Sequence, residues 1–304
     1  MRKCIALGLA GLLFMGCGLT RDESATEGAR TGESAGGVVR WTAIPDADSD
    51  KLKLKYDPVS RYLEETTGMK FEYVPAADYT ASVEMFENGD VQLAWFGGLT
   101  GVQARSAVPG ARAIVQGVED PAYRSYFIAH ASTGLEPSDE FPAGIAELPF
   151  TFGSPSSTSG RLMPEFFIRE ETGLGPDEFF AQKFAFSGKH DLTARQVAEG
   201  TRIKAGVLSY LTYEKMVEDG ELDPAVCRVI WKTPPYADYN FTAHPTLDEM
   251  HGAGTIDRIQ RALLEMEDAP LLGAFMRSKL IEASNEDFGR IEDVARALQM
   301  DRRS

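Results

Sequence analysis

Cysteine is scarce in this chain: three in 304 residues, two of them (Cys4 and Cys17) in the first seventeen. Cys227 is left alone in the remainder, so no internal disulfide can staple the fold, and stability must come from a packed core. The roughly 265 residues beyond the polar N-terminal stretch are ample for one. Histidine is nearly as rare. His130, His190, His244 and His251 are the four, none at zinc-ligand spacing, and no H-E-x-x-H occurs. The G-x-S-x-G elbow and the Walker A loop are missing too. Ser159, His190 and Asp191 can be sketched as a triad, but a His and an Asp adjacent in sequence are poorly placed for one to orient the other. These absences argue against an enzyme and predict neither cofactor nor metal. Basic residues are outnumbered 31 to 46, for a net charge of -15. That excludes nucleic acid as the main partner, since phosphate neutralisation needs clustered Lys and Arg. A small anion is not excluded, because a pocket sets its own local field. Long apolar runs are also lacking, which excludes a multi-span membrane protein.

The one apolar run, Ile5–Met15, follows Arg2 and Lys3 and ends at Gly16-Cys17. Basic start, short apolar middle and small residue at the end are the layout of an export leader. Leu13-Phe14-Met15-Gly16-Cys17 resembles a lipobox, with Phe14 where Leu is usual, so Cys17 is the expected lipidation site. Residues 18–37, rich in Gly, Ser, Thr and Glu, read as a flexible tether. The expected organisation is leader 1–17, tether 18–37, one lobe from 38–130 plus 235–304, and a second lobe from 131–234.

From Val38 on, strands and helices alternate. Val38–Ile44, Phe71–Val74, Val91–Phe96, Arg112–Gly117 and Arg124–Ala131 read as strands, with helices expected from Pro58 to Thr67, after Asp78 and after Gly97-Gly98. The second half repeats the rhythm from Phe150–Gly153 to Cys227–Lys232. Such alternation predicts two α/β lobes with parallel sheets. Extended segments near Tyr126–Ala131 and Trp231–Tyr236 are the expected crossings between lobes. Ligands of open α/β sheets sit where strands feed into helices, and four such junctions stand out. Gly153-Ser154-Pro155-Ser156-Ser157-Thr158-Ser159-Gly160 opens a helix with five hydroxyls. A helix N-terminus offers free N–H groups and partial positive charge, so Ser157, Thr158 and Ser159 would build an anion site without Lys or Arg. Ser187-Gly188-Lys189-His190-Asp191 is the second, with His190 as donor and Asp191 as a helix cap. Tyr79, after Asp78, would reach a ligand with its hydroxyl. Phe96-Gly97-Gly98 would let backbone amides approach closely.

These residues resemble the phosphonate/phosphite/selenate-type substrate-binding proteins of ABC importers. The resemblance rests on Ser-Thr-Ser-Gly at 157–160 with the following Pro164, on Gly-x-His-Asp at 188–191, and on Ala94–Gly98 with Gln103-Ala104. Ala43-Ile44-Pro45-Asp46 and the stretch from Trp231 to Asn240 are similar to the selenate-binding branch. It implies a type II periplasmic-binding-protein fold, two α/β lobes joined by two crossover strands with ligand between them. It implies oxyanion contacts from Ser157, Thr158, Ser159 and His190, with Tyr79 and the Phe96–Gly97 turn contributed by the other lobe. Partners would be permease and ATPase subunits, a membrane reached through the lipid anchor, and a small anion, with the chain a monomer. A sensory module of the same fold, docking on a receptor, is the alternative. Lys204 stands where relatives carry an acid, which removes the expected recognition of an amine. The expected ligand is a tetrahedral oxyanion or phosphonate, that is phosphonate, phosphite, phosphate or selenate. With only donors expected around the anion and Asp191 engaged as a cap, dianions without protons should be tolerated, selenate slightly favoured.

Overall fold

The computed structural model describes residues 37–47 and 49–301. The leader, Cys17 and most of the tether lie outside the described residues. Among the described residues eleven strands form two sheets. The first contains β1 (Val39–Ala43), β2 (Phe71–Tyr73), β3 (Leu93–Phe96), β4 (Arg112–Gly117), β10 (Asn240–Ala243) and β11 (Leu280–Glu282), in the order β11-β4-β10-β3-β1-β2. The second contains β5 (Ser125–His130), β6 (Phe150–Phe152), β7 (Ala185–Phe186), β8 (Ala205–Ser209) and β9 (Cys227–Lys232), in the order β7-β6-β8-β5-β9. Helices cover both, one apolar cluster runs through the two lobes, and a second, around Ile128, Val197, Leu208 and Met216, lies in the second lobe alone. Trp41, Trp95, Phe241 and Phe275 pack at tilted and edge-on angles at the centre of the first lobe. Phe150, Phe152, Phe180 and Phe184 pack together in the second. Such edge-on and offset aromatic pairs add to the area they bury. Among the described residues no helix is long and apolar enough to cross a membrane.

The sheets are mixed, not parallel as the alternation suggests. β5 runs antiparallel to β8 and β9, and β10 antiparallel to β3 and β4. The physical reason lies in the chain path. β5 and β10 are the strands entered directly from the other lobe, without a βαβ turn to restore direction. β5 also differs from the expected boundary at 130. It is paired along both sides inside the second sheet, so the first crossing is 118–124 and not Tyr126–Ala131. The second is 233–239, a few residues beyond Trp231–Tyr236. The two crossings bond to each other, Tyr123 N–H to Tyr236 O at 2.9 Å and Tyr236 N–H to Tyr123 O at 3.0 Å. A helix expected from Pro58 begins instead at Ser49 and carries Pro58 inside. Its apolar residues Leu52, Tyr56, Val59 and Leu63 are buried, and that packing outweighs the backbone bond that proline removes.

Candidate functional site

Three helices begin at one point between the lobes. A π-helical turn, Thr158–Leu162, runs into the helix Met163–Thr172, and Ser157 caps it by accepting the Gly160 N–H at 2.9 Å. The amides at its start precede any carbonyl of the helix that could take them. The helix Gly98–Ala107 starts opposite: Leu99 N–H donates to Thr158 Oγ1 at 2.9 Å, a bond from one lobe to the other. The helix His190–Glu199 starts beside Ser159, whose hydroxyl lies 3.4 Å from His190 Nε2. A fourth helix, Tyr79–Glu87, is capped by Asp78, which accepts from Ala81 N–H, and Thr80 lies 3.3 Å from Ser156 across the lobes. Converging N-termini sum their partial positive charges, which suits an anion without any cationic side chain.

His190 is buried, and burial depresses its imidazole to about 4. The ring is therefore neutral at physiological pH. Ser209 N–H donates to Nδ1 at 3.3 Å, which leaves the ring proton on Nε2, aimed at Ser159. The ring is thus a fixed donor. Tyr79 is also buried. Its hydroxyl faces Ser157 yet makes no hydrogen bond of ordinary geometry.

Gly97 sits where the sequence placed it. A Cβ there would lie 3.1 Å from Thr158 Oγ1 and 3.2 Å from Asp238 Oδ1, so any larger residue would crowd the centre of the cleft. Phe96 does not face the cleft. It is fully buried, its ring against Phe86 at 5.6 Å, because alternation along β3 turns it into the core. Asp191 is not the cap of its helix; Lys189 holds that position, and the Asp191 carboxylate accepts from Leu192 N–H at 2.9 Å. It lines a separate cavity of about 90 Å3 between the lobes, together with Asp46, Trp95 and Arg195. Lys204, at the end of β8 remote from Ser209, donates to the Gly200 carbonyl and to Ser132, so its replacement of an acid has no direct bearing on the cleft.

The residue that sequence reasoning missed is Asp238, in the second crossing. It is fully buried. Oδ1 accepts the Gly98 N–H at 2.8 Å, whereas Oδ2 is buried with no partner. Burial raises its carboxyl to about 7, opposed by the Gly98 amide and the Thr158 hydroxyl. An unpaired acceptor in a ring of donors is a costly arrangement for the protein alone. The only prior signal was its place in the Trp231–Asn240 stretch, which carried the family resemblance without suggesting a role.

The family model for the ABC-transporter phosphonate periplasmic substrate-binding protein matches residues 41–288. The "Probable ABC transporter phosphite binding protein PhnD1" of Prochlorococcus marinus is 31% identical over 268 residues, 86% of this chain and 90% of that protein. The "Phosphate-import protein PhnD" of Mycolicibacterium smegmatis is 31% identical over 238 residues, 76% of this chain and 72% of its own length. The solved structure of the P. marinus PhnD1 in complex with methylphosphonate superposes with a TM-score of 0.81, covering 86% of this chain and 98% of that one. A binding protein component of an ABC phosphonate transporter from Pseudomonas aeruginosa, 20% identical and covering 87% of both chains, has the same fold at a TM-score of 0.75. With the two-lobe architecture and the matched span taken together, this chain belongs to the ABC-transporter family of periplasmic phosphonate substrate-binding proteins.

Proposed function

We propose that the point where the three helices begin is the ligand site, and that it captures a tetrahedral phosphorus oxyanion still carrying a proton. Ser157, Thr158, Ser159, the helix amides, His190 Nε2–H and Tyr79 Oη supply donors to its oxygens. Asp238 Oδ2 accepts the hydrogen bond that this proton donates. The observation that carries this reading is that two of the buried polar atoms left without a hydrogen-bond partner among the described residues, Tyr79 Oη and Asp238 Oδ2, belong to this point. A ligand that only accepts would satisfy the first and repel the second. Phosphate at neutral pH both accepts and donates, as does a phosphonate monoanion. A carboxylate inside the donor ring therefore reverses the expected preference for selenate. The test is a calorimetric titration with phosphate, phosphite, methylphosphonate, sulfate and selenate. Binding of the phosphorus anions supports the reading, and selenate or sulfate as the tightest ligand at pH 8 would refute it.

No chemistry on the ligand is proposed. The donors hold the anion, and His190 is too weak a base to take a proton from it. The protein hands the anion to a permease, and Cys17 holds it at the membrane through a lipid. Support for the anchor is the run Leu13–Cys17 followed by a polar tether. Cys17→Ser is expected to release the protein from the membrane fraction while ligand affinity stays at the wild-type value. Fractionation and titration of the same preparation check both, and retention of the variant in membranes would remove the anchor from the account.

A further inference from the structure

Arg277 is distant in sequence from every residue of the site, yet it is built into its support. It is 4% exposed and makes a paired contact with a carboxylate that is itself fully buried. Nε donates to Asp120 Oδ2 at 2.9 Å and Nη2 to Asp120 Oδ1 at 2.6 Å. Nη1 donates to the Phe275 carbonyl at 2.6 Å. The guanidinium plane faces Tyr239 at 4.8 Å, Trp95 at 5.4 Å and Tyr123 at 5.5 Å from the ring centroids. Asp120 belongs to the first crossing, and its carboxylate also takes the Gly117 N–H at 2.6 Å. Its backbone carbonyl takes the N–H of Asp238 at 3.1 Å. Arg277, Asp120 and Asp238 are thus linked in one chain, from the C-terminal part of lobe 1 through both crossings. The guanidinium also occupies a space kept open by Gly117, where a Cβ would fall 2.3 Å from Arg277 Cδ.

A buried ion pair of this kind contributes little net stability, because desolvation offsets the attraction. Its geometry is what it supplies, and a bidentate guanidinium fixes the orientation of a carboxylate as an ammonium cannot. We propose that Arg277 is a positioning residue of the anion site: by clamping Asp120 it fixes the second crossing and sets where the Asp238 carboxylate meets the ligand. The inference rests on the reading that Asp238 accepts the hydrogen bond donated by the ligand's proton. The charged and titratable groups facing Asp238 are Asp120, Arg277, Tyr79, Tyr123, Tyr236 and Tyr239. Arg277 is the one cation among them, and its two-point grip on Asp120 holds the crossing that carries Asp238. Without that grip the Asp238 carboxylate no longer meets the ligand's proton in a fixed place, and the discrimination between phosphate and sulfate is lost.

The experiment measures affinities for phosphate and sulfate from pH 6 to 9 in four proteins: wild type, Asp238→Asn, Arg277→Lys, and the double variant Arg277→Met with Asp120→Asn. The double variant leaves no unpaired buried charge and so guards against a simple failure to fold; thermal melting verifies it. The phosphate-to-sulfate ratio at pH 8 is expected to fall at least tenfold in Asp238→Asn and in both Arg277 variants. In the Arg277→Lys protein, which keeps the cation but loses the paired grip, the fall of sulfate affinity with pH should be shallower than in wild type. A purely structural role would lower the melting temperature and leave the ratio alone, and a wild-type ratio and pH profile in a folded Arg277 variant overturns the inference. If Asp238→Asn itself keeps the wild-type ratio, the underlying reading fails and the inference falls with it. If only Asp238→Asn changes it, Asp238 stands and Arg277 does not.

Discussion

Asp238→Asn is expected to weaken phosphate binding by about 1.5–3 kcal/mol, the range for a hydrogen bond to a charged group, or roughly 10- to 150-fold in the dissociation constant. The amide replaces the acceptor with a group that can also donate, so the ligand's proton loses its carboxylate while an oxygen gains an N–H. Sulfate should bind the variant better than it binds wild type. pH separates the two anions further. With the Asp238 carboxyl at about 7, its ionised fraction rises through neutrality. Sulfate requires the protonated form, so its affinity should fall by about tenfold per pH unit above that point. Phosphate brings its own proton and should be nearly level over the same range. His190 does not blur the profile, because burial depresses its imidazole to about 4 and it is neutral throughout the range from pH 6 to 9. Calorimetry at several pH values checks all of this. Equal pH dependence for the two anions would show that no carboxylate touches the ligand.

The second large effect belongs to the hydroxyls. Thr158→Ala and Ser159→Ala are each expected to cost about 1.5–3 kcal/mol of binding. Thr158 should also report on closure. Its Oγ1 accepts the Leu99 N–H across the lobes, so the alanine variant leaves a helix amide without that partner when the lobes close. Small-angle scattering should therefore show a smaller ligand-induced compaction for Thr158→Ala than for Ser159→Ala. Wild-type affinity in both variants would place the anion elsewhere.

The parts of this architecture that could be read from sequence are those governed by local rules. The strand Arg112–Gly117 falls where alternation puts it, and Asp78 caps its helix as its type suggests. The Ser-Thr-Ser-Gly run was legible as a helix start after a buried strand, and Ser157 caps it there. His190 was legible by its position, and the structure adds the tautomer, which depends on the Ser209 amide nineteen residues away. Whatever depends on long-range pairing was hidden. The sheet that receives Ser125–His130 is decided by β8 and β9, far along the chain. Asp191 and Asp238 illustrate the same limit. The first sits in a recognisable motif but points to a neighbouring cavity. The second lies in an extended stretch with no periodicity, and only the folded crossings carry it to Gly98. Arg277 gave no signal at all, since its partners come from two crossings and three aromatic rings.

The most direct measurement is a crystal structure of this protein with methylphosphonate. The account predicts the phosphorus at the meeting point of the three helix starts, its oxygens contacted by Ser157, Thr158, Ser159, Tyr79 Oη and His190 Nε2. One oxygen should lie about 2.5–2.7 Å from Asp238 Oδ2, the length of an O–H to carboxylate bond. An anion seated instead in the cavity beside Asp46 and Asp191, or bound with Asp238 turned away, would contradict it.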